Sequence, residues 1–315
     1  MNSIYTFNLP KMFAAMKKSV LYINGGGTLI QNATSWRSLW YYLFTLRLAK
    51  FLGNKVDMYG CGIGPVNGEK NIRLVKRVLD RSVDTITLRE KDSMQELESF
   101  GVHQPEILLC SDPALVLEPS SDVEVDAYLK HHGMKSDKRY FCFMLRTWYG
   151  FDAKASVLAA CADRAYEKYG LEPVFLSLNI FHDSAAAEKV TRLMKAPYLI
   201  LDDWAEPELL MGVLSRMDTV VSMRLHGLIF SSLSGVPLVG VSYDPKIDSF
   251  LKYLDTGTCI DLPDLTTEGL NDAVDQALAS LPQREELREK ALKLQKVERQ
   301  NIQAVARLLG LSEQS

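Results

Sequence analysis

Apolar residues along this chain fall into two patterns that take turns. Short, nearly continuous apolar runs alternate with longer stretches in which apolar residues recur every three or four positions. The second period marks helices, and the short runs, bounded by Gly, Pro, Asn, Asp or Ser, mark strands. In the first half the pattern predicts strands over 20–24, 56–60, 85–88 and 107–110, with helices over 36–52, 69–81 and 91–100. In the second half it predicts strands over 140–145, 174–178, 198–201, 219–222 and 237–241, with helices over 153–169, 184–194, 206–216 and 225–234. A long charged helix over 283–309 closes the chain.

Strands that are apolar throughout suit parallel sheets covered by helices on both faces. The polar stretch 117–138 (EPSSDVEVD, then HHGMKSDKR) interrupts the pattern and reads as a domain boundary. The expected organisation is α/β: a Rossmann-like domain over 1–125, a second over 126–282, and a terminal helix over 283–315 that packs back on the first. Two doubly wound domains facing each other put a ligand cleft at the carboxyl ends of their strands.

Composition narrows the function classes. Hydrophobic residues make up 47% of the 315 and charged residues 24%, ordinary for a globular protein. The balance of 36 basic to 39 acidic residues argues against a nucleic-acid partner. Cys61, Cys110, Cys142, Cys161 and Cys259 stand singly, with no CxxC pair. They read as buried thiols in a reducing compartment, without a disulfide frame or zinc site. MNSIYTFNLPKMF lacks the apolar core of a secretory signal. The run SLWYYLFTL, between Arg37 and Arg47, has roughly half the length of a membrane span. A cytoplasmic location follows, at or near the inner face of the membrane. SWRSLWYYLFTLRLAK is apolar nearly all round, so a buried helix is expected there in preference to a membrane-surface one.

Candidate chemistry gathers where strands give way to helices. NGGGTLIQ offers Gly25, Gly26 and Gly27 for close backbone approach, with Gln31 after them. A helix N-terminus following that turn would present free N–H groups to a ligand; the alternative is a tight turn with no ligand. Neither this segment nor GCGIGPVNG matches G-x-G-x-x-G, and no GxxxxGK[ST] occurs, which removes the main support for NAD- and NTP-dependent readings. In TLREKDS, Asp92 or Ser93 is expected to cap a helix, with Arg89 beside it. In FHDS, His182 and Asp183 either reach the cleft or start a helix, and the expected role is a cap by Asp183 or Ser184. FMLRTW places Arg146 just beyond a strand, and SYDPK places Lys246 beyond another. In SMRLHGLIFSSLSGVPLVG, Arg224, His226 and Gly227 sit where a strand meets a helix. A guanidinium binds phosphate or carboxylate in two-pronged fashion, and imidazole transfers protons near neutral pH. Gly227 would let a ligand approach the backbone. Together they read as a site for a small anion with a proton-transfer group.

GGGTLIQNATSWRSLWYYL, GCGIGP, ITLRE, SDPAL and above all MRLHGLIFSSLSGVPLVGVSYDPK resemble the polysaccharide pyruvyl transferase family over about residues 18–300. The nearest branch is similar to bacterial enzymes that pyruvylate cell-wall polymers for S-layer anchoring. The resemblance implies a glycosyltransferase-B-like fold. It implies transfer from phosphoenolpyruvate to a sugar as a pyruvate ketal, with no cofactor and no metal. It also implies a lipid-linked amino-sugar acceptor at the membrane surface. Arg146, Arg224, His226, Gly227 and Lys246 would hold the donor, with His226, Arg224 and Arg146 catalytic, and Gly25, Gly26, Gly27 and Gln31 would hold the acceptor. Family members usually begin with a strand and a G-x-x-N-x-GD turn, which this chain lacks. The first domain is therefore expected to be incomplete at its N-terminus and to expose sheet edge and apolar surface. Two other readings stand beside this one. A nucleotide-sugar glycosyltransferase of the same fold would hold a diphosphate at the Arg224 turn. A truncated, non-catalytic paralogue would bind ligand without turnover, alone or in an oligomer.

Overall fold

The structure is a computed structural model, which describes residues 3–5, 8–33 and 35–311. The chain divides into two compact units, one of Met1–Pro113 with Leu294–Ser315 and one of Ala114–Lys293.

The first unit contains α1 (Leu9–Lys18), β1 (Leu21–Gly25), β2 (Thr28–Ile30), α2 (Trp36–Phe51), β3 (Lys55–Ile63), α3 (Glu69–Ser82), β4 (Thr85–Leu88), α4 (Lys91–Phe100) and β5 (Glu106–Leu109). Its sheet runs β1-β3-β4-β5, with β2 also on β3, and every pairing is parallel. The strands are buried because Val56, Met58, Cys61, Ile86 and Leu88 pack against Leu39, Leu43, Leu46, Val75 and Leu79 of α2 and α3.

The second unit contains α5 (Asp122–His131), β6 (Arg139–Met144), α6 (Ala155–Tyr169), β7 (Leu171–Leu176), α7 (Ile180–Thr191), β8 (Leu199–Leu201), α8 (Pro207–Ser215), β9 (Thr219–Ser222), α9 (Leu225–Leu233), β10 (Leu238–Ser242), α10 (Pro245–Leu254), β11 (Thr258–Asp261) and α11 (Thr267–Ala279). Its six-stranded sheet is ordered β11-β10-β9-β6-β7-β8, again all parallel. Phe141, Phe143 and Phe175 fill its core. The last helix, α12 (Arg284–Leu308), begins in the second unit and ends in the first. There the Asn301 amide donates to the Ser111 carbonyl at 3.1 Å, and Ser111 Oγ donates to the Leu294 carbonyl at 2.6 Å.

The alternation of strands and helices matches the sequence pattern, and three local expectations are corrected. The glycine turn does not lead into a helix: β2 follows it, and α2 starts only after Ser35, whose Oγ accepts the Ser38 N–H at 3.3 Å. Neither Asp92 nor Ser93 caps α4, whose N-cap is Glu90 without a side-chain cap bond. Ser93 Oγ instead accepts the Ile63 N–H and donates to Glu90. Arg89, expected beside a cap, is the buried hub of this region, donating to Glu90 at 2.9 Å, Asp112 at 3.0 Å and Thr28 at 3.1 Å. Nor is α2 buried all round, since it keeps Trp36, Trp40, Phe44 and Phe51 exposed.

Candidate active site

The second sheet builds outward from β6 in both directions. The chain runs from β6 to β7 and β8 on one side, then returns to lay β9 against the other side of β6 and continues to β10 and β11. Loops leaving β6 and β9 therefore diverge, which makes their carboxyl ends the switch point of this sheet, where ligands bind in open α/β folds. Met144 and Ser222 are the last pair in register, and the Met223 N–H donates to the Met144 carbonyl at 2.8 Å. Arg146 and Arg224 each lie two residues past that pair, so the topology delivers two guanidinium groups to the switch point.

Arg146 is held by aromatic side chains. Its Nη1 donates to the Tyr243 hydroxyl at 2.7 Å. Its guanidinium carbon lies 5.1 Å from the Trp148 ring centre and 5.0 Å from that of Tyr243, and the two rings are 4.7 Å apart. Cation–π attraction fixes the plane of the fork. Its Nε is buried and meets no hydrogen-bond acceptor among the described residues.

Arg224 is the N-cap residue of α9, with an extended backbone locked by reciprocal bonds between its N–H and carbonyl and Ser222 Oγ. Its Nε donates to Asp183 at 3.2 Å, and its Nη2 donates to the other carboxylate oxygen. Asp183 is 2% exposed and also accepts the Leu178 and Asn179 N–H groups, both at 3.0 Å. The expectation that Asp183 or Ser184 caps α7 is thus corrected: that helix starts at Ile180, and Asp183 binds back to the β7–α7 turn. A carboxylate with two amide donors and a guanidinium fork is fully provided for despite burial. Nη1 is the nitrogen of Arg224 outside the pair.

His226 is exposed in the first turn of α9, its ring 5.9 Å from that of Phe230. Gly227 is buried, and a Cβ there would lie 2.4 Å from Met144 Sδ and 2.7 Å from Ser222 Oγ. The close approach that requires this glycine is that of α9 to its own sheet, where the sequence suggested a ligand. Lys246 lies in the first turn of α10, its Nζ 2.9 Å from Asp244 and 5.8 Å from the Tyr243 ring centre. The Asp244 carboxylate also accepts the Lys246 N–H at 3.2 Å, capping α10. The N-termini of α9 and α10 add partial positive charge at this edge.

Gly25, Gly26, Gly27 and Gln31 belong to the first unit. Gly26 turns the chain with φ +77°, and a Cβ on Gly25 would lie 2.8 Å from the Tyr59 carbonyl oxygen. Both glycines let β1 and β2 pair with β3. Gly25 and Gly26 are exposed and Gln31 half-buried. Sequence reasoning missed Asp183 as the partner of Arg224, and Trp148 and Tyr243 as the cage of Arg146. An aromatic two residues after Arg146, and another directly after β10, were the available signals for the cage. No local signal marks Asp183, which lies 41 positions from Arg224.

Known structures share this architecture. Anabaena HepE, solved with UDP-glucose, matches with a TM-score of 0.62 and 11% identity, over 95% of this chain and 82% of that one. A Rickettsia africae glycosyltransferase matches with a TM-score of 0.62 and 13% identity, over 100% and 85%. Staphylococcus aureus MnaA, solved with UDP, matches with a TM-score of 0.62 and 12% identity, over 100% and 84%. At such low identity these likenesses establish the fold, two Rossmann-like units of the glycosyltransferase-B kind. No curated protein matches the sequence. The family of polysaccharide pyruvyl transferases matches residues 2–245, which run through the Arg224–His226 turn as far as Pro245. On that match, over most of its length, the chain belongs to the polysaccharide pyruvyl transferase family.

Proposed function

We propose that the chain transfers the pyruvyl group of phosphoenolpyruvate to two hydroxyls of one sugar in a cell-wall polysaccharide precursor. The observation that carries this reading is the pair of arginines at the switch point of the second sheet, in a chain of this family. Phosphoenolpyruvate has two anionic ends. Arg146 offers a rigid fork with a buried, unmatched Nε, a donor whose desolvation an anion would offset. Arg224, held by Asp183, and Lys246 supply further donors at the same edge.

In this reading the methylene carbon of the donor takes a proton and becomes the methyl group. One sugar hydroxyl adds to C2, phosphate leaves, and the second hydroxyl closes the ketal. The two hydroxyl protons balance the one gained by carbon and the one carried off by phosphate. His226 is the acid and base of these transfers, worth about a hundredfold to ten-thousandfold in rate. The arginines stabilise charge on the departing phosphate. Gly227 backs this turn by letting α9 seat against β6. The acceptor is a lipid-linked amino sugar of the S-layer-anchoring type, met by the exposed Gly25–Gly26 turn with Gly27 and Gln31.

The test is phosphate release from phosphoenolpyruvate with and without a synthetic N-acetylmannosamine-containing disaccharide. Release that requires the acceptor is expected, and His226→Ala should lose at least about a hundredfold of it. The structural neighbours solved with UDP and UDP-glucose favour one competing reading, a nucleotide-sugar glycosyltransferase. Calorimetric binding of UDP-glucose with none of phosphoenolpyruvate would replace the first reading by the second.

A further inference from the structure

The side of α2 turned away from its core carries four large aromatic side chains and two arginines. At about 100° per residue, Trp36, Arg37, Trp40, Phe44, Arg47 and Phe51 fall within one arc of about 100°. All six are exposed, whereas Leu39, Leu43, Thr45, Leu46 and Ala49, on the other side, are buried. Trp36 is 62% exposed, Trp40 50%, Phe44 48% and Phe51 85%. Beside this stripe α2 and α3 leave a groove of about 410 Å³, lined by Trp40, Phe44, Arg47, Phe51, Leu74 and Val78. Helix α1 lies against α2, with the Tyr41 hydroxyl 3.7 Å from Met12 Sδ and Met16 buried in the same core. It shows Leu9, Phe13 and Lys17 along one exposed stripe of its own.

Charge decides what this surface meets. The first 56 residues contain seven basic residues (Lys11, Lys17, Lys18, Arg37, Arg47, Lys50 and Lys55) and no Asp or Glu. The remaining 259 hold 29 basic residues to 39 acidic. An acidic chain has therefore gathered an acid-free segment around its largest run of exposed aromatics. A two-fold contact between two copies would set basic residues against basic residues. An anionic lipid surface attracts the same residues and accepts Trp and Phe at headgroup depth. Among the described residues no helix is long and apolar enough to cross a membrane, so such contact lies along the surface.

We propose that the outer faces of α1 and α2 dock on a bilayer surface rich in anionic phospholipid. This goes beyond the transfer reaction and is independent of it, because docking needs neither donor nor acceptor. The test uses the full chain with vesicles of phosphatidylcholine alone and vesicles of phosphatidylcholine mixed with phosphatidylglycerol. Binding to the mixed vesicles is expected to be stronger by roughly tenfold or more and to weaken as salt is raised. The double variant Trp40→Ser, Phe44→Ser should lose binding to both kinds. Arg37→Glu with Arg47→Glu should lose the preference for anionic lipid. All of these side chains are exposed, so circular dichroism and the urea midpoint should stay at parental values. Equal binding to both vesicle types, or none, overturns the proposal. So does a parent that sediments as a dimer and becomes monomeric in the Trp40→Ser, Phe44→Ser variant without ever binding vesicles, which would make this a self-association face.

Discussion

Arg146 has its guanidinium carbon 5.1 Å from the ring centre of Trp148 and 5.0 Å from that of Tyr243, and its Nη1 donates to the Tyr243 hydroxyl at 2.7 Å. A lysine keeps the charge but loses the plane, the stacking and the fixed fork of donors on separate nitrogens. Arg146→Lys is therefore expected to lower kcat/KM for phosphoenolpyruvate about tenfold to a hundredfold, and steady-state phosphate release measures it. Tyr243→Phe, which removes one hydrogen bond and keeps the ring, should cost less; parental kinetics in Arg146→Lys would remove Arg146 from the donor site. At this scale the sequence was informative in one direction only. Arg146, Arg224, His226 and Lys246 stand out as candidates because each lies within a few residues of the end of an apolar run, and in a parallel sheet the ends of such runs face one edge. Asp183 is expected only as a helix cap and Tyr243 carries no expectation, because a side chain's partner across a sheet depends on strand order; Trp148, two residues from Arg146, is a local signal left unused. The order β10-β9-β6-β7 brings together residues far apart in the chain.

Elements were legible where the apolar period was strong and uninterrupted. The strands over Thr85–Leu88 and Thr219–Ser222 and the helix over Lys91–Phe100 lie where the pattern puts them. The pattern failed where a short element relies on its caps or neighbours. Helices α5, α10 and α11 start at Ser121, Asp244 and Thr266, whose side chains each accept a backbone N–H of the first turn. Those cap residues were visible, but the polar stretches around them concealed the helices. Strand β2 has only three residues and exists because β3 is long enough to pair with both it and β1. For α2 the pattern was read correctly as apolar on every side, yet the inference to burial fails because one side faces solvent. The packing of α9 against β6 yields its own prediction. Gly227→Ala places a Cβ 2.4 Å from Met144 Sδ in a buried seam. Overpacking of that kind costs about 1–3 kcal/mol, and the urea midpoint should fall accordingly. An unchanged midpoint would show that Met144 yields freely and that Gly227 serves something other than packing.

At the scale of the whole molecule, each unit holds a carboxylate shifted far from its ordinary range, and the two shifts have opposite signs. In the first, Asp57 lies in the middle of β3, fully buried, and neither carboxylate oxygen meets a hydrogen-bond donor among the described residues. Burial, assisted by the charge of Glu106, pushes its carboxyl up to about 7. Glu90 and Glu298 are also raised by burial, despite Arg89 beside the one and Asn301 beside the other. In the second unit the bidentate Arg164 fork, helped by Lys168 and Tyr169, holds Asp275 well below the usual carboxylate range. The signs follow from which state binds the proton. Between the unfolded value of ~3.9 and about 7, folded Asp57 keeps a proton that the unfolded chain has lost, so stability falls as pH rises across that window. Each unit of displacement corresponds to about 1.4 kcal/mol. Asp275 contributes in the opposite sense, with stability present above the unfolded value and lost only as pH falls below it. Asp80 of the first unit is lowered as well and titrates outside this window. The parent protein should therefore unfold at lower urea at pH 8 than at pH 5. Asp57→Asn, which stays neutral, should remove much of that difference and be more stable than the parent at pH 8. If its midpoint drops between the two pH values as far as the parent's does, Asp57 is ionised in the folded chain, and the pH response must come from Glu90 and Glu298.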